Sequence, residues 1–430
     1  MYALLASLDH PERAFPSLLV AGTKGKGSTV AMLSACLRAQ GFRTGRYTSP
    51  HLVNWRERTC VDAQPIGVDS VLALAEPIRR AVDDLPPSLG QPTTFEVGTA
   101  FAFAYFARAT HLDLAVVEVG TGGRFDATNL LEPLVSTITS ISYDHTPTLG
   151  RTLTEIAWHK AGILRRGRPG VLAPQVDEAR LAVEREADRV GAHLEEVGRE
   201  WTWSVAGFGP ATREGSESRP GNSAAVDSIR IASTHSEFEP LTSPVGLLGD
   251  HQRDNATTAV AALHALGTVA PRFGVSRSAL QSGLANVDWP GRLQVLCERP
   301  LLVLDGAHNA ASAHALRAAI DRGFHFRRLL LVLGLSEGKD ARGVLDALLA
   351  GAPEHAVYLT RSRHERSAVP ADLVLFLRAV DPAAEVRVHA DLGTALDAAL
   401  AAAHPDDLVL VTGSLFLVGE ALVWWRRSPR

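Results

Sequence analysis

The segment Ala21-Gly22-Thr23-Lys24-Gly25-Lys26-Gly27-Ser28-Thr29 joins glycines, a lysine and hydroxyls in one short run. Glycine lets backbone N–H groups turn inward, and beside a helix N-terminus such a turn cradles phosphate oxygens, because free amides and the helix dipole both favour negative charge. Gly22, Thr23, Gly25 and Gly27 would line that cradle, Lys26 would reach the terminal phosphates, and Ser28 or Thr29 would offer a hydroxyl to Mg2+. The run departs from a regular Walker sequence: Val20 stands where the first glycine is usual, and Gly27 separates the lysine from the hydroxyls.

Three further residues could do chemistry. Only Lys24, Lys26, Lys160 and Lys339 are lysine among 43 basic residues. A lysine kept in so arginine-rich a chain is a candidate for reactions a guanidinium cannot perform. Lys160 lies in TLTEIAWHKAGIL, a helical pattern with an apolar side to bury, and burial favours the neutral, nucleophilic amine. Glu118 closes the apolar run Leu114–Val119, where a carboxylate can hold the magnesium that bridges ATP phosphates. His145 follows a second such run and is a candidate metal ligand or positioning group.

These residues need a parallel sheet to hold them. Leu18–Ala21, the glycine turn and the helical spacing from Ser28 read as strand, loop and helix, the opening of a nucleotide-binding α/β unit. Leu114–Val119 and Val135–Ile141 continue the alternation, which predicts a mostly parallel sheet covered by helices. Residues 200–245 read as antiparallel strands around a long polar Gly/Ser/Arg-rich loop, a β-rich appendage of the first domain. After Trp289-Pro290-Gly291-Arg292 the alternation restarts with LLVLDGAHN, RLLLVLGL, AVYLT, EVRVH and DLVLVTGS. Those five strands predict a smaller Rossmann-like domain. The expected division is an ATP-binding domain over 1–294 and a C-terminal domain over 295–430.

Composition narrows the partners. With 43 basic and 47 acidic side chains, a net charge of −4 and 46% hydrophobic residues, the chain lacks the footprint of a nucleic-acid binder. Three cysteines, Cys36, Cys60 and Cys297, are too few and scattered for a disulfide framework or thiolate metal cage, which fits a reducing cytoplasm. No basic start precedes a long apolar stretch, so no signal peptide is expected. The apolar run Leu408–Trp425 is broken by Glu420 and two glycines and reads as a buried strand feeding a helix rather than a membrane span.

GTKGKGST followed by YTSPHL at 47–52 resembles the folylpolyglutamate synthase/dihydrofolate synthase family of the Mur ligase superfamily. The resemblance continues through EVGTGGRFDATN at 118–129, SYDHTPTLGRTLTEIAWHKAGI at 142–163, GDHQRDNA at 249–256, PGR at 290–292, DGAHN at 305–309 and GSLFLVGE at 413–420. It implies a P-loop Mur-ligase-type ATPase domain, an ATP-dependent amide ligase, and dihydropteroate or a reduced folate, L-glutamate and ATP as substrates. The resemblance implies metal roles for Ser28, Ser49, Glu118, His145 and Lys160. A carbamylated lysine at Lys160 would act there as a carboxylate. Asn255, Arg292, Asp305 and His308 match the family's ATP-binding set, drawn from both domains, so domain closure would precede chemistry and shield a labile intermediate. Phe95, Arg124, Phe125 and Asp126 resemble the pterin-binding region, and Ser414 the glutamate site.

The sequence departs from the family pattern at Lys24, often asparagine, at Tyr143, commonly leucine, and in a lead-in of about twenty residues before the loop. A longer lead-in helps hold the pterin in relatives. Two alternatives remain open: another amino-acid ligase of the superfamily, though a cell-wall enzyme would carry an extra N-terminal domain, and a P-loop nucleotide-dependent regulator. A monomer without membrane attachment is expected.

Overall fold

Long apolar runs of branched residues cannot face water on either side, and in this chain they become the inner strands of two parallel sheets. The computed structural model describes residues 1–209 and 226–428. The chain divides into two compact units: Met1–Gly207, Asp227–Val245 and His251–Val287 form the first, and Asp288–Arg430 with Gly246–Asp250 the bulk of the second.

The first unit is built on eight strands: β1 (Ser17–Ala21), β2 (Thr44–Tyr47), β3 (Thr59–Val61), β4 (Gln64–Pro65), β5 (Leu114–Glu118), β6 (Val135–Ile138), β7 (Pro169–Leu172) and β8 (His193–Glu196). Their order is β4-β3-β2-β5-β1-β6-β7-β8. From β2 to β8 every pairing is parallel, and β3 and β4 add an antiparallel edge. All five residues of β1 and of β5 are buried, as expected for strands covered on both faces. Register places Val20 beside Glu118 and beside Thr137, so the turn after β1 emerges between the carboxyl ends of β5 and β6.

Helices on this sheet start at strong stop signals. Thr93 with Glu96, and Thr152 with Glu155, form reciprocal capping boxes that fix the first turns of Thr94–Arg108 and Leu153–Ala161. The helix Lys26–Ala39 is buried throughout Ser28–Leu37, because it is covered on its far side by Arg277–Ala285. At the crossing, a Cβ on Gly283 would run into the backbone of Cys36, so only glycine permits this approach.

The expected appendage is present as β9 (Trp201–Gly209), β10 (Val226–Ser233) and β11 (Leu241–Pro244), ordered β11-β10-β9, with β10 and β11 antiparallel. The polar loop anticipated between β9 and β10 lies outside the described residues. A long helix, Asp250–Val269, follows.

The second unit holds β12 (Gln294–Glu298), β13 (Leu301–Leu304), β14 (Leu329–Leu333), β15 (His355–Leu359), β16 (Glu385–Val388) and β17 (Leu408–Thr412), in the order β12-β13-β17-β14-β15-β16. The five anticipated strands are the parallel set β13 to β17. β12, not anticipated, pairs antiparallel with β13; its sequence QVLCE is short and half polar and carries little strand signal of its own. Leu408–Trp425 is the buried β17 feeding the helix Leu415–Arg427. Among the described residues no helix is long and apolar enough to cross a membrane.

Candidate active site

The turn after β1 is shaped by contacts that only glycine tolerates. Gly22 has φ +145°, and a Cβ there would overlap Thr139 Oγ1, a side chain locked in the core. Gly25 has φ +87° and caps the helix that starts at Lys26; a Cβ there would overlap the Asn255 carboxamide. The sequence therefore places glycine where the backbone is left-handed and crowded at once. Thr23 and Lys24 donate their amides to Ser140 O, and the Thr23 hydroxyl bonds Ser142 O while accepting from Ser142 N. The loop is thus sewn to the segment following β6.

Charged groups collect beside it. Glu118 is only 4% exposed at the end of β5; its Oε2 accepts from the Ser49 amide at 3.1 Å, and its Oε1 lies 4.0 Å from Lys26 Nζ. Lys26 Nζ also donates to the Gly22 carbonyl at 3.2 Å. Lys160, 3% exposed on Leu153–Ala161, reaches the same carbonyl at 2.8 Å. Lys24 pairs with Asp144 at 3.2 Å. Burial, and next the Lys26 ammonium, brings the Lys160 amine down to about 7, with Asp144 opposing the fall. Near neutral pH much of this lysine is a free amine facing the phosphate loop.

The donor set suits a hard dication. The Glu118 carboxylate and the Ser28 hydroxyl, buried in the first helical turn, are oxygen ligands of the kind Mg2+ takes beside a triphosphate. Ser49 is held at Glu118 by its own amide. His145 stands differently: it has φ +52°, precedes the short helix Thr146–Leu149, and exposes 58% of its side chain, with Nε2 3.9 Å from Asp144 Oδ1.

The residues anticipated for the pterin have local partners of their own. Arg124 lies over the Trp158 ring at 4.0 Å, pairs with the Glu186 carboxylate and donates to the Trp158 carbonyl. Asp126 caps Ala127–Leu130 by accepting from Thr128 and takes the Thr121 amide on its other oxygen. Phe125 is 77% exposed, tilted against Trp158 and edge-on to His159. Phe95 is half-buried, 6.2 Å from the Tyr47 ring, and leaves no room for a Cβ at Gly120. Phe95 and Phe125 thus offer aromatic faces, whereas Arg124 and Asp126 hold the loop that carries Phe125.

In the second unit the anticipated residues meet at the carboxyl ends of β13 and β17. Asp305 accepts from the amides of Leu293 and Ala307, and His308 Nδ1 lies 2.9 Å from Gly306 O. Arg292 packs where a Cβ on Gly306 would stand. Ser414 caps Leu415–Arg427 through the Phe416 amide. Asn255 belongs to the first unit, bonded to the Gln252 side chain and packed on Gly25.

Residues 20–263 match the family model described as Mur ligase middle domain, and residues 291–415 that described as Mur ligase, glutamate ligase domain. The dihydrofolate synthase/folylpolyglutamate synthase of Bacillus subtilis (strain 168) is 32% identical over 98% of this chain and 93% of its own length. The chain belongs to the Mur ligase family, among its folylpolyglutamate and dihydrofolate synthases. A probable bifunctional folylpolyglutamate synthase/dihydropteroate synthase of Halobacterium salinarum is 38% identical over 99% of this Mur ligase, which spans about half of it (49%). Among solved structures, Mycobacterium tuberculosis folylpolyglutamate synthase complexed with ADP and AMPPCP superposes with a TM-score of 0.85 at 32% identity, covering 100% of this chain and 95% of that one. A bifunctional folylpolyglutamate synthase/dihydrofolate synthase with Mn, AMPPNP and L-glutamate bound gives 0.81 at 30% identity, covering 98% and 92%.

Three residues of this Mur ligase site escaped the sequence reading. Thr139 buttresses Gly22, Gln252 orients Asn255, and Asp144 partners Lys24. Asp144 carried a signal, its place beside His145 after a strand. Thr139 and Gln252 carried none, since each acts only through a neighbour distant in sequence.

Proposed function

We propose that this Mur ligase joins the amino group of L-glutamate to a carboxylate of dihydropteroate, to the γ-carboxylate of a reduced folate, or to both. An oxygen of the acceptor carboxylate attacks the γ-phosphorus of ATP, the bond to the bridging oxygen breaks, and ADP leaves. The glutamate nitrogen then attacks the acyl carbon of the resulting acyl phosphate. Inorganic phosphate departs with its electron pair, and the nitrogen gives up a proton as the amide forms.

The observation that carries the reading is the convergence of Lys26 and Lys160 on one carbonyl, that of Gly22, with Glu118 4.0 Å from Lys26, in a loop where Gly22 and Gly25 are sterically required. Lys26, now resting on the loop carbonyls, would turn to the phosphate oxygens as charge spreads over the transferred group. Gly22, Thr23, Gly25, Gly27, Ser28 and Thr29 supply amides and hydroxyls to the phosphates, and Asn255 fixes the loop at Gly25. Glu118, Ser28 and Ser49 would hold magnesium, which when bound would neutralise phosphate charge. His145 and Lys160 complete the catalytic set in this reading. The depressed amine of Lys160 adds to carbon dioxide with loss of a proton, and the carbamate gives the buried position an anionic oxygen. Arg292, Asp305 and His308 serve ATP in the second unit, Phe95 and Phe125 the pterin with Arg124 and Asp126 behind them, and Ser414 the glutamate. The functional division is 1–294 and 295–430, and the enzyme works as a cytoplasmic monomer.

One assay tests the reaction. Acceptor labelled with heavy oxygen in its carboxylate is incubated with ATP and L-glutamate, and the released phosphate is analysed by mass spectrometry. One labelled oxygen per phosphate is expected, with ADP release dependent on both acceptor and glutamate. Unlabelled phosphate, or ADP release indifferent to both substrates, as in a nucleotide-dependent regulator, overturns it. Supplying dihydropteroate and tetrahydrofolate in parallel divides the two activities.

A further inference from the structure

Away from the phosphate loop, the first unit gathers a second set of titratable groups that the ligase reaction does not use. His235 and Glu237 sit on the turn between β10 and β11, and His264 lies on the helix Asp250–Val269. One potential ligand atom from each comes within 4.8 Å of the others, the only group of three or more such residues among the described residues. Glu237 Oε1 is 3.6 Å from His264 Nε2 and 3.9 Å from His235 Nδ1. In a tetrahedral zinc centre with bonds of about 2.0–2.2 Å, ligand atoms stand roughly 3.3 Å apart, so the two imidazole nitrogens, within 4.8 Å of each other, draw together by at most about 1.5 Å, and Glu237 follows by a shift of a few tenths of an ångström. Glu237, with a side chain 62% exposed, has the freedom to make it.

What lies behind the triad points the same way. The other ring nitrogen of His235, Nε2, is buried, makes no hydrogen bond, and lies 3.2 Å from Glu195 Oε2 at the end of β8. That carboxylate is fixed by the indole N–H of the fully buried Trp201 at 2.7 Å. A carboxylate hydrogen-bonded to the far nitrogen is the usual support of a metal-bound imidazole, because it sets the tautomer and raises ligand basicity, and a turn of the His235 ring onto an ion would convert this 3.2 Å contact into such a bond. The Trp201 ring also packs edge-on against His264, with centroids 5.3 Å apart, and this holds the third ligand in place.

We propose that His235 Nδ1, His264 Nε2 and Glu237 Oε1 form a binding site for a zinc-class divalent ion, with water as the fourth ligand and Glu195 as the positioning carboxylate. Two imidazoles and one carboxylate select zinc or a neighbouring transition ion over magnesium. The ion would fasten the β10–β11 turn to the helix Asp250–Val269, a structural role separate from the chemistry at Gly22.

The test uses the full chain without a histidine tag, stripped with chelator and returned to buffer with excess Mg2+. Zn2+ is added in a calorimetric titration, and Co2+ in a parallel one followed by ligand-field absorption. One Zn2+ per chain, a tetrahedral Co2+ spectrum and a rise in melting temperature with added Zn2+ are expected. Glu237→Gln, at an exposed position that leaves the fold alone, and His264→Gln should abolish the spectrum and the thermal shift. Glu195→Gln should retain the stoichiometry but weaken binding about 10–100-fold. Wild-type protein without saturable one-to-one uptake, or a Glu237→Gln variant that binds as wild type does, overturns the proposal.

Discussion

The phosphate-loop end of the first unit and the β13 end of the second are built alike, at the carboxyl edge of a parallel sheet with glycine at the turn and a capped helix beyond. They differ in where their polar groups are spent. Asp305 gives both oxygens to backbone amides, Ser414 caps its own helix, and Asn309 caps the helix Ala310–Gly323. In the first unit Lys26 and Lys160 both direct their amines at the Gly22 carbonyl, and Glu118 lies 4.0 Å from Lys26 while it accepts from the Ser49 amide. Titratable groups of both signs packed close and shielded from water make up a reactive chamber, whereas carboxyl and hydroxyl groups spent on backbone amides make up a rigid mount. On the proposed reaction, transition-state work falls to the first end and positioning to the second.

The sharpest way to break that contrast is Lys26→Ala. Removing one preorganised charge that meets the transferring phosphoryl group should lower kcat about 10²–10³-fold, with the circular dichroism spectrum unchanged; a change confined to KM would move Lys26 to the positioning side. Next comes Gly22→Ala, which adds a left-handed alanine and an overlap with the immobile Thr139 Oγ1. A loss of about 2–4 kcal/mol in denaturant unfolding is expected from strain and overpacking together.

Titration of Lys160 gives a smaller effect with a definite sign. Its folded amine titrates near 7, and an unfolded lysine at about 10.4, so between those values unfolding takes up a proton. Stability should therefore rise with pH across that window, by at most about 1.4 kcal/mol per pH unit from this group. Lys160→Met should flatten the slope in urea melts run from pH 7 to 9; an unchanged slope would place the charge elsewhere. Smallest is Asp305→Ala, which leaves the amides of Leu293 and Ala307 without acceptors. It should cost about 1–3 kcal/mol of stability and raise KM for ATP while kcat at saturation is retained. A kcat loss as large as that of Lys26→Ala would erase the distinction between the two ends.

Much of the site was legible because its determinants are local. The glycines of 22–27, the helix start beyond them and the strand-end Glu118 are each declared within a few residues, and the parallel sheet follows from fully apolar runs such as Leu329–Leu333. The same logic fails at β12, whose polar residues make sense only as an antiparallel edge on β13. It is silent as well on the intramolecular partners of Arg124, namely Trp158 and Glu186, which lie 34 and 62 residues further along the chain.

The amino-acid order alone determined the strand–glycine–helix openings, the two sheets and the scarcity of lysine, since periodicity, turn chemistry and composition act over short spans. Folding decided which groups share a dielectric. It brought Lys160 to the Gly22 carbonyl across 138 residues, set Thr139 and Asn255 against the two crowded glycines, and drew His235, Glu237 and His264 within 4.8 Å. Proximity between distant residues depends on the packing of whole elements, and charge acquires its chemical meaning only when that packing has removed the water around it.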